Sequence, residues 1–137
     1  MGASREVGSN MAGERILVVD DEAEIVELLR DVLTAEGYVV DAAPDADASL
    51  QLIRENIYDL ALLDFNLPDM NGVMLHHQIR QMDAELASRT IFMSGLLQSD
   101  GNLGYYMSQS GGFIAKPFDI RDVLRQVRTV LGDEPAP

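Results

Sequence analysis

The chain has 137 residues, room for one compact domain with short tails at ~100 to 200 residues per domain, and too few for a multidomain enzyme. Hydrophobic residues make up 47% and charged ones 24%, a core-forming composition that argues against intrinsic disorder. Against 10 Lys and Arg stand 23 Asp and Glu, a formal charge of -13 that repels bare DNA or RNA and excludes a direct nucleic-acid binder. Residues 1–13 are polar and glycine-rich and read as a flexible N-terminal tail, 14–131 as one domain, and 132–137 as a flexible C-terminal tail.

Within the domain, short apolar runs alternate with helical periodicities, the pattern of a parallel sheet joined by crossover helices. Ile16 to Val19 is the first strand, ending on Asp20 and Asp21. From Glu22 the residues Ile25, Leu28, Leu29, Val32 and Leu33 fall on one helical face, and Gly37 stops that helix. Tyr38 to Ala42 is a second strand and Asp45 to Glu55 a second, weaker helix. Leu60 to Leu63 is the third strand, ending on Asp64, and the turn formers Leu67 to Gly72 precede a helix carrying Leu75, Ile79 and Met82. Thr90 to Met93 and Gly112 to Ala115 are the last strands. Gly101 and Gly104 weaken the helix expected between them by about 1 kcal/mol each relative to alanine. Asp119 caps a final helix with Ile120, Val123, Leu124, Val127 and Leu131 inward, and Gly132 ends it.

In an open parallel sheet, ligands bind outside the carboxyl ends of the strands. Those ends carry Asp20 and Asp21, Asp64, Ser94 and Lys116. Three carboxylates brought together repel at ~4 kcal/mol per pair at contact distance and intermediate dielectric, so they call for a cation, and an all-oxygen cluster suits Mg²⁺. Lys116 is the one lysine of the chain and lies in an apolar run, an unusual place for a solubilising charge. Its ammonium and the Ser94 hydroxyl can serve an anion beside the metal, which describes a phosphoryl group held on Asp64 as an acyl phosphate. The blander readings are helix capping by Asp20 to Glu22, a plain turn after Asp64, and a capping serine at Ser94. His76 and His77 point about 100° apart on a helix and are expected to be a solvated face. Tyr105 to Met107 reads as half-buried packing or as a partner patch, and Gln98 to Gln109 as a segment that orders on switching.

Four motifs in order carry a family resemblance: Ile16-Leu17-Val18-Val19-Asp20-Asp21-Glu22, Leu62-Leu63-Asp64-Phe65-Asn66-Leu67-Pro68-Asp69-Met70-Asn71-Gly72, Phe92-Met93-Ser94-Gly95 and Ala115-Lys116-Pro117-Phe118. From Glu14 to about Leu131 the chain resembles a response-regulator receiver domain. The resemblance implies a doubly wound five-stranded parallel sheet of order 2-1-3-4-5, a flavodoxin-like three-layer sandwich. It implies Asp64 as phosphoacceptor for a histidine kinase or phosphotransfer protein, with Asp20, Asp21, Asp64 and the Asn66 carbonyl as metal ligands, Asp20 largely through water. Ser94 and Lys116 would contact the phosphoryl oxygens, Ser94 and Phe113 would switch, and Asn66 and Leu96 would tune lifetime. Leu96 cannot orient a water, so slow self-dephosphorylation is expected. A Lys116-Pro117 peptide that is often cis is also implied.

No output module is read after Leu131, so the signal is expected to leave through contacts with a downstream protein, a phosphorylation-linked dimer among them. The domain is either a stand-alone receiver or one cut from a longer regulator. Without cysteine, a secretory signal or a membrane-length apolar run, a cytoplasmic protein with no membrane contact is expected. Three rivals differ in class. A phosphorylation-independent adaptor would keep the fold and lose the chemistry. An aspartyl-phosphate phosphatase would need a second acid where Asn66 stands. A flavin module would need a phosphate loop rich in Ser, Thr and Gly.

Overall fold

A computed structural model describes residues 13–95 and 110–132. Five parallel strands, β1 (Arg15–Val19), β2 (Val39–Ala43), β3 (Leu60–Asp64), β4 (Thr90–Ser94) and β5 (Gly112–Ala115), form one sheet in the order β2-β1-β3-β4-β5. The helices of the described residues are α1 (Ala23–Ala35), α2 (Ala46–Glu55), α3 (Gly72–Met82), a single turn α4 (Ala84–Ser88), and α5 (Ile120–Leu131).

Strand residues alternate between two cores because successive side chains point to opposite faces. Leu17, Val19, Ala61, Leu63 and Phe92 meet Leu50, Ile53, Leu75, Ile79 and Leu86 from α2, α3 and α4. Ile16, Val18, Leu60, Leu62, Ile91, Met93 and Ile114 meet Leu29, Leu33, Val123 and Val127 from α1 and α5. The central strands β3 and β4 are buried at every position, so what they present at their carboxyl ends is held rigidly.

Helices α2 to α5 start on side-chain acceptors that satisfy free amide groups. Asp45 accepts from Ala48 N, Asn71 from Met74 N, Asp83 from Leu86 N and Asp119 from Arg121 N. Gly37 and Gly132 end α1 and α5 with positive φ, the conformation that glycine adopts without a Cβ penalty.

Three expectations change. His76 is not solvated but fully buried: its Nε2 lies 2.8 Å from Ala87 O and its ring 5.2 Å from that of Phe92, because a further helical turn, α4, folds over it. Burial lowers its pKa, and the positive charges of Arg80 and His77 add to that, against the Ala87 carbonyl. Leu28 is exposed, and Val26 packs inward beside Ile25 in its place. The turn α4 falls where no element was expected, although Asp83 followed by Ala-Glu-Leu-Ala is a capped helix start. The expected helix around Gly101 and Gly104, Tyr105 to Met107, Leu96, residues 1–12 and residues 133–137 lie outside the described residues.

Candidate functional site

The sheet register assembles the site. In the β1–β3 pair Val19 stands opposite Leu63, so Asp20 and Asp64 leave the sheet side by side. In the β4–β5 pair Ser94 stands opposite Ala115, and the amide of the next residue, Lys116, donates to Ser94 O at 2.9 Å. Residues from three crossovers thus converge at one end, as strand order requires where the chain winds outward from β1 and β3.

Lys116 Nζ donates to Asp20 Oδ2 at 2.9 Å, to Glu22 Oε1 at 2.9 Å and to Asp64 Oδ1 at 3.4 Å. The other oxygen of Asp20 accepts the Glu22 amide at 2.9 Å, so Asp20 is fixed at both ends. Asp21 is exposed beside them, and one carboxylate oxygen from each of Asp20, Asp21 and Asp64 lies within 4.8 Å of the others. This donor set is all hard oxygen, carries three negative charges against one ammonium, and is spaced for a single small hard cation to bridge, which fits Mg²⁺.

Burial and the charge of Asp20 push the Asp64 carboxyl up to about 6, against the pull of Lys116 and of the Asn66 amide that donates to it. Burial works against the Lys116 ammonium, but its bonds to Asp20 and Glu22 and the charges of Asp20 and Asp64 outweigh that and hold it above the ordinary lysine value. The pocket therefore keeps a fixed cation beside a carboxylate that is ionised at neutral pH yet poorly solvated, the condition for a nucleophilic oxygen aimed at an anionic group.

Ser94 is buried at the end of β4, and Phe113 is half-buried on β5 against the core on the α2–α4 face, outside the polar cluster. The Lys116-Pro117 peptide is cis. Asn66 is exposed on the loop after β3, where it bridges back to Asn71. Sequence reasoning missed Glu22 as a partner of Lys116. Its signal was the third acid of the first motif, which read only as a helix-start charge.

Residues 16–128 match the family model described as response regulator receiver domain. The chain is 34% identical over 114 residues to the transcriptional regulatory protein DltR of Streptococcus agalactiae, a match covering 83% of this chain and 50% of DltR. It is 34% identical over 117 residues to the transcriptional regulatory protein ResD of Bacillus subtilis, covering 85% of this chain and 48% of ResD. The chain thus spans about half the length of the curated relatives it matches. Among solved structures, a CheY-like response regulator receiver domain protein of Methanospirillum hungatei superposes with a TM-score of 0.81 at 29% identity, covering 89% of this chain and 96% of that one.

Proposed function

The chain belongs to the response regulator receiver domain family of two-component systems, and from that premise we propose that Asp64 accepts a phosphoryl group from the phosphohistidine of a histidine kinase or phosphotransfer protein. An Asp64 carboxylate oxygen attacks phosphorus and forms the O–P bond of an acyl phosphate. The P–N bond to the donor imidazole breaks, and its electron pair returns to the imidazole nitrogen, which then takes a proton. Lys116 neutralises the transferred oxygens, and the Ser94 hydroxyl donates to them. Asp20, Asp21, Asp64 and the Asn66 carbonyl would hold Mg²⁺, which supplies charge neutralisation to a loose transition state. Almost all of the catalysis is positioning and electrostatics, so rigid burial of β3 and β4 is a functional property.

The acyl phosphate adds roughly -1.5 to -2 of charge beside Lys116. Movement of Ser94 toward it and repacking of Phe113, which has no hydroxyl and acts by shape alone, pass the change to a protein-contact surface. Asn66 and Leu96 set the lifetime. The domain spans 14–131 and works in the cytoplasm; among the described residues no helix is long and apolar enough to cross a membrane. With a net charge of -13 the chain signals through protein partners, a phosphorylation-linked dimer included, rather than by touching nucleic acid itself.

One observation carries this reading: three carboxylates from two separate crossovers share one point with the chain's only lysine. Acetyl phosphate or beryllofluoride in the presence of Mg²⁺ is expected to modify the wild type at one site, and Asp64→Asn not at all. Intact mass and amide shifts report the two labels. A wild type that stays unlabelled overturns the reading in favour of a phosphorylation-independent adaptor.

A further inference from the structure

The loop from Phe65 to Asn71 carries Asn66 past the acceptor, and four contacts hold it. Phe65 N donates to Met93 O at 2.9 Å, and Gly72 N to Phe65 O at 2.8 Å. Asn66 pairs with Asn71, which also caps α3. The fourth contact reaches a different helix: Asp69 Oδ1 accepts from Ala46 N at 2.9 Å and Asp69 Oδ2 from Asp47 N at 3.1 Å. Both oxygens of one exposed carboxylate thus bind the first two amides of α2, more than 20 residues away in sequence.

A cap for α2 was already present in its own chain. Asp45 accepts from Ala48 N at 2.8 Å, as the residue before a helix commonly does. Asp69 therefore adds something beyond helix initiation, since it joins the acceptor loop to an element whose other end packs in the core through Leu50 and Ile53. The bonds are charge-assisted and lie on the helix dipole, which favours a carboxylate over any neutral side chain. The Ala46 and Asp47 amides correspondingly hold the Asp69 carboxyl below its usual value.

We propose that Asp69 is a positioning residue of the acceptor site: its carboxylate ties the loop bearing Asn66 to the first turn of α2, so that metal occupancy beside Asp64 and order in that turn rise together. The inference rests on the phosphoacceptor reading. Its physical basis is that misplacing a ligand by ~1 Å can cost up to about a hundredfold in a preorganised site, and the Asp69 bonds are what tie this loop to α2. Coupling between two sites is reciprocal, so the factor by which the clamp strengthens metal binding is the factor by which metal strengthens the clamp.

Asp69→Ala, Asp69→Asn and Asp45→Ala, each compared with wild type, separate this from plain capping. The readouts are the Mg²⁺ dissociation constant by calorimetry, the urea-unfolding midpoint, and exchange of the Ala46 and Asp47 amides with and without Mg²⁺. Asp69→Ala is expected to weaken Mg²⁺ binding about three- to tenfold, the factor that a capping bond is worth. Asp69→Asn retains one acceptor and falls between. Asp45→Ala removes a bond from the same helix, lowers the urea midpoint similarly, and leaves Mg²⁺ affinity within about twofold of wild type. In the wild type, Mg²⁺ slows exchange at Ala46 and Asp47 by the factor that Asp69→Ala loses. Equal Mg²⁺ affinities for Asp69→Ala and Asp45→Ala, in a background where the wild type binds Mg²⁺ and takes the acetyl phosphate label, overturn the inference alone. A wild type that neither binds Mg²⁺ nor takes label overturns the acceptor reading and this inference with it.

Discussion

Asp64 sits in a pocket that suits it only when something positive is near. With its carboxyl raised from an ordinary 3.8 to about 6, chiefly by burial and then by Asp20, ionisation works against folding in metal-free protein. For a group whose folded pKa is raised, the stability it lends is fully present below its unfolded value and is lost as pH rises through the folded one. About two units at 1.36 kcal/mol each put that loss on the order of 3 kcal/mol by about pH 8. Asp64→Asn removes the charge at nearly constant shape, and Lys116 keeps Asp20 and Glu22 as partners. In EDTA the variant is expected to exceed wild type by up to about 3 kcal/mol at about pH 8, the gain shrinking toward nothing near pH 4. Urea unfolding across that range measures it. A gain that grows on acidification would contradict the assigned cause.

At the scale of elements, the start of α3 shows how closely the site is built. A Cβ on Gly72 would lie 2.6 Å from Phe65 Cδ1, 3.1 Å from Phe65 Cα and 3.3 Å from Phe92 Cε1. Phe65 is the residue after Asp64, so the helix can approach the end of β3 only where there is no side chain. Gly72→Ala gains helix propensity of about 0.8–1 kcal/mol but overpacks this contact, with a net loss expected at roughly 1–3 kcal/mol in urea unfolding. A variant as stable as wild type would show that Phe65 yields freely. The sequence read Gly72 as the last turn former before a helix, whereas it is the first residue of α3. Strands and most helices were legible because their signals are local: apolar runs of four or five, an Asp or Asn before α2, α3 and α5, glycine after α1 and α5. His76 was illegible because its burial depends on α4 folding across it, and Leu28 because several apolar residues competed for a face with room for fewer. The ties of Glu22 to Lys116 and Asp69 to Ala46 were hidden for the same reason: an acid declares its charge in sequence, and only the fold declares its partner.

Over the whole molecule two kinds of electrostatics act, and they can be told apart. A net charge of -13 makes the compact state repel itself everywhere, and any salt relieves that, with a Debye length of about 10 Å at 0.1 M and 3 Å at 1 M. The convergence of Asp20, Asp21 and Asp64 is instead a point demand, present in the fold and absent once the strands separate. The chain order of the motifs made this convergence readable, because strand ends in a parallel sheet share one edge however far apart they lie in sequence. At matched ionic strength, MgCl₂ and NaCl screen the diffuse field comparably, so only MgCl₂ can add a binding contribution, about 2.7 kcal/mol at one hundred times its dissociation constant. For a domain of this size that corresponds to roughly 8–15 °C in Tm. The excess of MgCl₂ over NaCl is expected in wild type and should vanish in the double variant Asp21→Asn, Asp64→Asn, which keeps most of the net charge and loses two of the three carboxylate charges at the site. Thermal melts of the two proteins in the two salts provide the measurement. An excess that survives the double substitution would mean that Mg²⁺ acts on the acidic surface at large and that no ion is held between these carboxylates.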